Sequence, residues 1–162
     1  MLYTVGLSHI NMLSTFILAS IEKLINTAID TSTTSRFDLI VLTNKVLRVS
    51  LVKPDIQIDV VFGAEHIRFE PVRSAIFEPK PYDLITLPDC TLHIKTPSEL
   101  ITVFRTHLDD LNWECIKGDE QVFVNAYYLF KNIDILNLTD ILNDFQTSSA
   151  YKLLDKILKS TT

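Results

Sequence analysis

Between residues 45 and 70 the chain carries three β-prone runs, KVLRVSLV, IQIDVVF and HIRFE, with only a few residues between one and the next. Parallel neighbours need a crossover of a dozen or more residues, so strands that pair in this order are antiparallel. The preceding run RFDLIVL also reads as a strand, joined to KVLRVSLV by a turn at Thr43 and Asn44. The start of the sheet is therefore expected to be a meander. Upstream, Leu13, Phe16, Ile17, Ile21, Leu24, Ile25 and Ala28 recur at spacings of three and four, which predicts a helix over 11–28 and a loop at TSTTS.

Downstream, PVRSAIF reads as a short helix, EPKPYD as a return, and DLITL and CTLHIK as two more strands joined through Pro88 and Asp89. The sharpest local signal is TPSE, residues 96–99. Thr96 can cap the first amides, Pro97 suits the first helical position because its absent N–H is not missed, and Glu99 can complete a capping box. Leu100, Phe104, Leu108 and Leu111 then form an apolar stripe. Helices through VFVNAYYLF, LTDILNDF and AYKLLDKIL follow. The expected class is α+β: an N-terminal helix, a mostly antiparallel sheet and a helical C-terminal third. With 162 residues, 47% of them hydrophobic, residues 1–162 are expected to form a single domain around one core.

A net charge of −5 argues against binding driven by nucleic-acid phosphates. Two basic groups, Lys45, Arg48 and Lys53, and Lys152, Lys156 and Lys159, read as ordinary solvated faces. Cys90 and Cys115 are too few for a disulfide framework, and reduced thiols in a cytoplasmic setting are expected. The first 21 residues contain no Lys, Arg, Asp or Glu. Yet Ser8, His9, Asn11 and Ser14 interrupt the apolar run, no basic residues precede it, and the helical stripe continues through Glu22 and Lys23. Neither a signal peptide nor a membrane partner is expected.

The usual chemical signatures are absent from the sequence. Cys90 and His93 stand three apart in a strand and so face opposite ways, while His9, His66 and His107 fall in separate elements, which disfavours a metal site. Gly6, Gly63 and Gly118 are isolated, so there is neither a nucleophile elbow nor a phosphate-cradling loop. What remains is carboxylates. Asp55 and Asp59 stand four apart, about 13 Å along a strand, too far to share a metal unaided. Asp38 in RFDLIVL can neighbour Asp59 if the meander brings those strands together, and acidic side chains on adjacent strands can hold magnesium, but the alternation by itself favours Asp59 on a solvated sheet face. Asp55, after Pro54, reads as a turn residue. Trp113, Phe123, Tyr127, Tyr128 and Phe130 read mainly as core, with Tyr127 or Tyr128 facing outward.

The pieces IQIDVVF, FEPVRSAIFEP, CTLHIKTPSELI and VNAYYLFKN together resemble the pattern of minimal and abortive-infection nucleotidyltransferases of bacterial defence and toxin–antitoxin systems. That resemblance implies Asp59 as the third metal carboxylate and Asp38 as one of the acidic pair. RFDLIVL has a single Asp where two are usual, and VGLS a single Gly where a Gly-Gly or Gly-Ser pair is usual. Phe104 and Asn125 stand where Lys and Asp are common. Two functions follow. The preferred one is a non-catalytic protein-binding module, inhibitor- or antitoxin-like or regulatory, that docks an acidic surface on a protein partner and uses no cofactor. The alternative is a divergent magnesium-dependent nucleotidyltransferase acting on a nucleoside triphosphate, with Asp38 and Asp59 as metal ligands and candidate catalytic residues.

Overall fold

The computed structural model describes residues 18–53, 55–74 and 87–133. In chain order these form α1 (18–31), α2 (Thr33–Ile40), β1 (Val46–Leu51), β2 (Ile56–Phe62), β3 (Ile67–Ser74), β4 (Cys90–Ile94), α3 (Pro97–Arg105), β5 (Ile116–Gly118) and α4 (Glu120–Asn132), with two short 3-10 turns between α3 and β5. The class is α+β. The strands form one five-stranded sheet in the order β3-β2-β1-β4-β5. β1, β2 and β3 make the expected antiparallel meander, and β5 is antiparallel to β4. β4 joins β1 in parallel, after a connection long enough for the crossover that parallel pairing requires.

RFDLIVL is not a strand. Ser32 is an N-cap whose hydroxyl accepts from the Ser35 amide, and the helix it starts runs through Ile40. Ser35, Leu39 and Leu42, spaced four and three apart, are all buried. That period of helical burial, fixed by the cap, overrides the β-branched composition of the run. Asp38 therefore lies on a helix, and Thr43 and Asn44 link a helix to a strand. Asn44 adopts φ 67°, a left-handed conformation that Asn tolerates. PVRS is likewise no helix: it extends β3 along β2, with a bulge at Val72 between the pairs Ile58–Pro71 and Gln57–Arg73. Pro71 is accommodated because β3 is an edge strand. The expectations for 11–17, for most of DLITL and for the two last helices lie outside the described residues.

The outer edge of β3 is closed by α1. The Asn26 side chain donates to the Ile67 carbonyl (2.9 Å) and accepts from the Ile67 amide (2.8 Å), and Glu22 Oε2 accepts from the Phe69 amide (2.9 Å). Those side chains take up the backbone groups that would otherwise template another strand. At the start of β1 and β4, Asp89 ties three strands together. Its carboxylate accepts from the Val46 amide (2.8 Å), its own amide donates to Val46 O (2.9 Å), and its carbonyl accepts from the Asp119 amide (2.9 Å). Gly118, at φ 98°, makes that approach possible, since a Cβ there would stand 2.6 Å from Asp89 O.

The capping signal at TPSE is realised with one change. Thr96 Oγ1 accepts from the Glu99 amide (3.3 Å), while Glu99 Oε2 reaches one residue further back, to the Lys95 amide (2.7 Å). Thr96→Ala is expected to cost about 1 kcal/mol, read as a shift in the urea midpoint at unchanged slope.

Register sorts the sheet into two faces. Leu47, Val49, Leu51, Ile58, Val60, Phe62, Cys90, Leu92, Ile94 and Ile116 share one face, and most are buried. α4 lies over β4 and β1 on this side and packs against α2. Arg48, Ser50, Gln57, Asp59, Thr91 and His93 share the other face.

Candidate functional site

On the polar face, cross-strand pairing sets Arg48 opposite Asp59. Arg48 Nε donates to Asp59 Oδ1 at 2.8 Å and Nη2 to Oδ2 at 3.1 Å, a two-pronged pair with Asp59 only 1% exposed and Arg48 14%. Both carboxylate oxygens thus face a fixed cation. Asp38, half-buried on α2, accepts from Asn132 Nδ2 of α4 (2.9 Å). Asp59's cross-strand neighbours are Arg48 and Glu70, and Asp38 is on neither strand. Among the described residues no three His, Cys, Asp or Glu side chains converge in a way that can hold a metal. Asp55 sits exposed in the turn before β2.

The apolar face carries no charged side chain among the residues just named. Over it lies an aromatic seam: Phe62 approaches Phe130 (6.5 Å between ring centres), Phe104 approaches Phe123, Tyr127 and Phe130 (6.3, 6.3 and 5.5 Å), and Trp113 meets Phe123 edge-on at 5.9 Å. Tyr127 is buried and Tyr128 is the one that faces outward. The Tyr127 hydroxyl donates to Thr106 O (2.8 Å) and accepts from Lys131 Nζ (3.1 Å), so its burial leaves no polar atom unpaired. Ser35 differs. Its Oγ is fully buried and has no hydrogen-bond partner among the described residues. A lone buried hydroxyl costs free energy, so Ser35→Ala is expected to raise stability by about 1 kcal/mol, seen as a higher melting temperature of the protein without added ligand.

Both thiols are held protonated. Burial, then the negative charge of Asp119, pushes Cys90 up to about 11, and burial raises Cys115 as well. Only the thiolate is nucleophilic, so at pH 8 the native protein is expected to take iodoacetamide slowly, at half-buried Cys115, with Cys90 reacting only after unfolding. Peptide mass spectrometry reads the two sites separately. The part of the stability that comes from keeping Cys90 protonated is whole below pH 9.0 and is lost as pH rises towards 11.

The frame of the molecule is a five-stranded mixed sheet in the order β3-β2-β1-β4-β5, with helices over its apolar face. A solved structure described as "UbiJ-SCP2 Ubiquinone synthesis protein" is similar to this chain, with a TM-score of 0.59 and 23% identity over 75% of this chain and 93% of that one. At that identity the likeness is one of fold. No protein-family model matches the chain, and neither does any curated protein.

That fold overturns the nucleotidyltransferase-like resemblance and, with it, both functions expected of the chain: the acidic protein-binding module, on that or an unrelated α+β fold, and the magnesium-dependent nucleotidyltransferase. The physical reason is in the elements: the pattern needed RFDLIVL as a carboxylate-bearing strand, and a capped helix stands there instead. Among the described residues no helix is long and apolar enough to cross a membrane.

Proposed function

We propose that this chain is a lipid-binding accessory protein that takes up an apolar, isoprenoid-type molecule between its sheet and its helices, by analogy with the neighbour's place in ubiquinone synthesis. The observation that carries this reading is the shared fold, which spans 93% of that neighbour. The chemistry of the interior supports it. The layer between the apolar sheet face and α3 and α4 is contacted through aromatic rings. Such contacts are non-directional and can re-form around a hydrocarbon chain without breaking polar links. Ser35 Oγ, a buried hydroxyl without a hydrogen-bond partner among the described residues, can donate to an oxygen on the ligand's head. Catalysis is not part of the proposal, because binding of this kind needs burial and no reacting group.

Trp113 is the single tryptophan and meets Phe123 within the seam, which makes its fluorescence a reporter. Titration with a short-chain benzoquinone is expected to quench it saturably, and a water-soluble quinone without a tail is expected to quench only by collision. Equal, unsaturable quenching by both would reject the proposal.

A further inference from the structure

Helix α2 has two apolar faces. Ser35, Leu39 and Leu42 are buried, whereas Phe37, Ile40 and Val41, at spacings of three and four, form a second stripe that is 68%, 58% and 60% exposed. These are three of the six large hydrophobic side chains exposed among the described residues. A stripe this concentrated on one short helix marks a docking surface, whereas single exposed apolar side chains are ordinary.

Its charged surroundings say what docks there. Arg36 precedes the stripe and Lys45 follows it, and among the described residues neither meets a carboxylate; Arg36 donates only to Thr33 Oγ1 (3.3 Å). Asp38, the one acid between residues 31 and 45, is held by Asn132 of α4. Four residues before Asn132, and so on the same side of α4, Tyr128 is 47% exposed. Insertable apolar side chains, flanking cations left free to meet anions, and a tyrosine alongside are the parts of an interfacial membrane contact.

We infer that α2 docks this protein on the surface of a lipid bilayer containing anionic headgroups, with Phe37, Ile40 and Val41 entering the interface and Arg36 and Lys45 meeting phosphates. The contact is peripheral and needs no spanning helix. It deepens the lipid-binding reading, on which its purpose rests, by naming the bilayer as the source or destination of the apolar ligand.

The test is co-sedimentation of the full chain with phosphatidylcholine vesicles, with and without phosphatidylglycerol. Wild type is expected to bind both, more strongly with phosphatidylglycerol present. Phe37→Ser/Ile40→Ser/Val41→Ser is expected to lower partitioning about tenfold or more on both, while Arg36→Gln/Lys45→Gln removes only the gain from the anionic lipid. All five side chains lie outside the core, and unchanged circular dichroism checks that each variant is folded. Equal partitioning of wild type and the triple variant overturns the inference. So does a wild-type dimer in light scattering that the triple variant turns into a monomer, since the stripe then joins two copies. Tryptophan quenching by the short-chain benzoquinone, measured without vesicles, separates the two proposals. Saturable quenching without vesicle binding defeats docking alone, and vesicle binding without saturable quenching defeats ligand uptake alone.

Discussion

Asp59→Ala is expected to destabilise the protein by about 3–5 kcal/mol, a fall in melting temperature on the order of 10 °C. The substitution leaves the Arg48 guanidinium facing a carboxylate that is gone, on a face where Arg48 is only 14% exposed and Asp59 is 1% exposed. The loss therefore includes the cost of leaving the mostly buried Arg48 guanidinium without the Asp59 carboxylate, as well as the worth of the pair. Removing both charges separates the two. Arg48→Met/Asp59→Leu is expected to recover most of the loss, because well-packed apolar side chains of similar size replace a buried ion pair at little or no net cost. A double variant as unstable as Asp59→Ala would mean that the pair itself, and not the Arg48 charge deprived of Asp59, supplies the stability.

Phe123→Ala is expected to cost about 3–5 kcal/mol, through lost burial and the cavity left behind. Phe123 is fully buried and touches Trp113, Phe104 and Tyr127, so it links α4 to the 3-10 turn after α3 and to α3 itself. Chemical denaturation monitored by Trp113 fluorescence reads this directly, and the native spectrum should shift to the red as the indole loses its edge-on neighbour. If the cavity admits ligand, the same variant is expected to bind a short-chain benzoquinone at least as well as wild type, since lost packing no longer has to be displaced. A cost below about 1 kcal/mol would show that the seam is loosely packed.

Much of the sheet could be read in the sequence because its information is local. Short connections forced β1, β2 and β3 to be antiparallel, and alternation fixed which side chains share a face. Closing the tight turn on the pair Leu51–Ile56 also places Arg48 opposite Asp59, so the ion pair was within reach of the sequence. Composition alone groups Arg48 with Lys45 and Lys53 as a surface charge and sets Asp59 beside the other carboxylates, Asp55 and Asp38, so only the register singles out the pair. The cap at Thr96 was legible for the same reason of locality.

Features that depend on distant residues were not legible. RFDLIVL has the composition of a strand, and only burial of Ser35, Leu39 and Leu42 against the rest of the core makes it helical. Ser32 in TSTTS was the available signal, a capping residue three before Ser35, hidden by the abundance of hydroxyls in that run. The parallel insertion of β4 beside β1 leaves no local trace, since a crossover can return the chain to either edge. Function followed the fold. An acidic pattern suggested a metal site, but the register gave Asp59 to Arg48 and the helix gave Asp38 to Asn132.

The most direct test of lipid binding is native mass spectrometry of the gently purified full chain, followed by organic extraction and identification of whatever is bound. Lipid binding is expected to appear as a one-to-one adduct whose mass, after extraction, belongs to an apolar molecule such as a prenylated quinone, its precursor or another long-chain lipid. A bare chain that also takes up no such molecule from added short-chain quinone or lipid would contradict it.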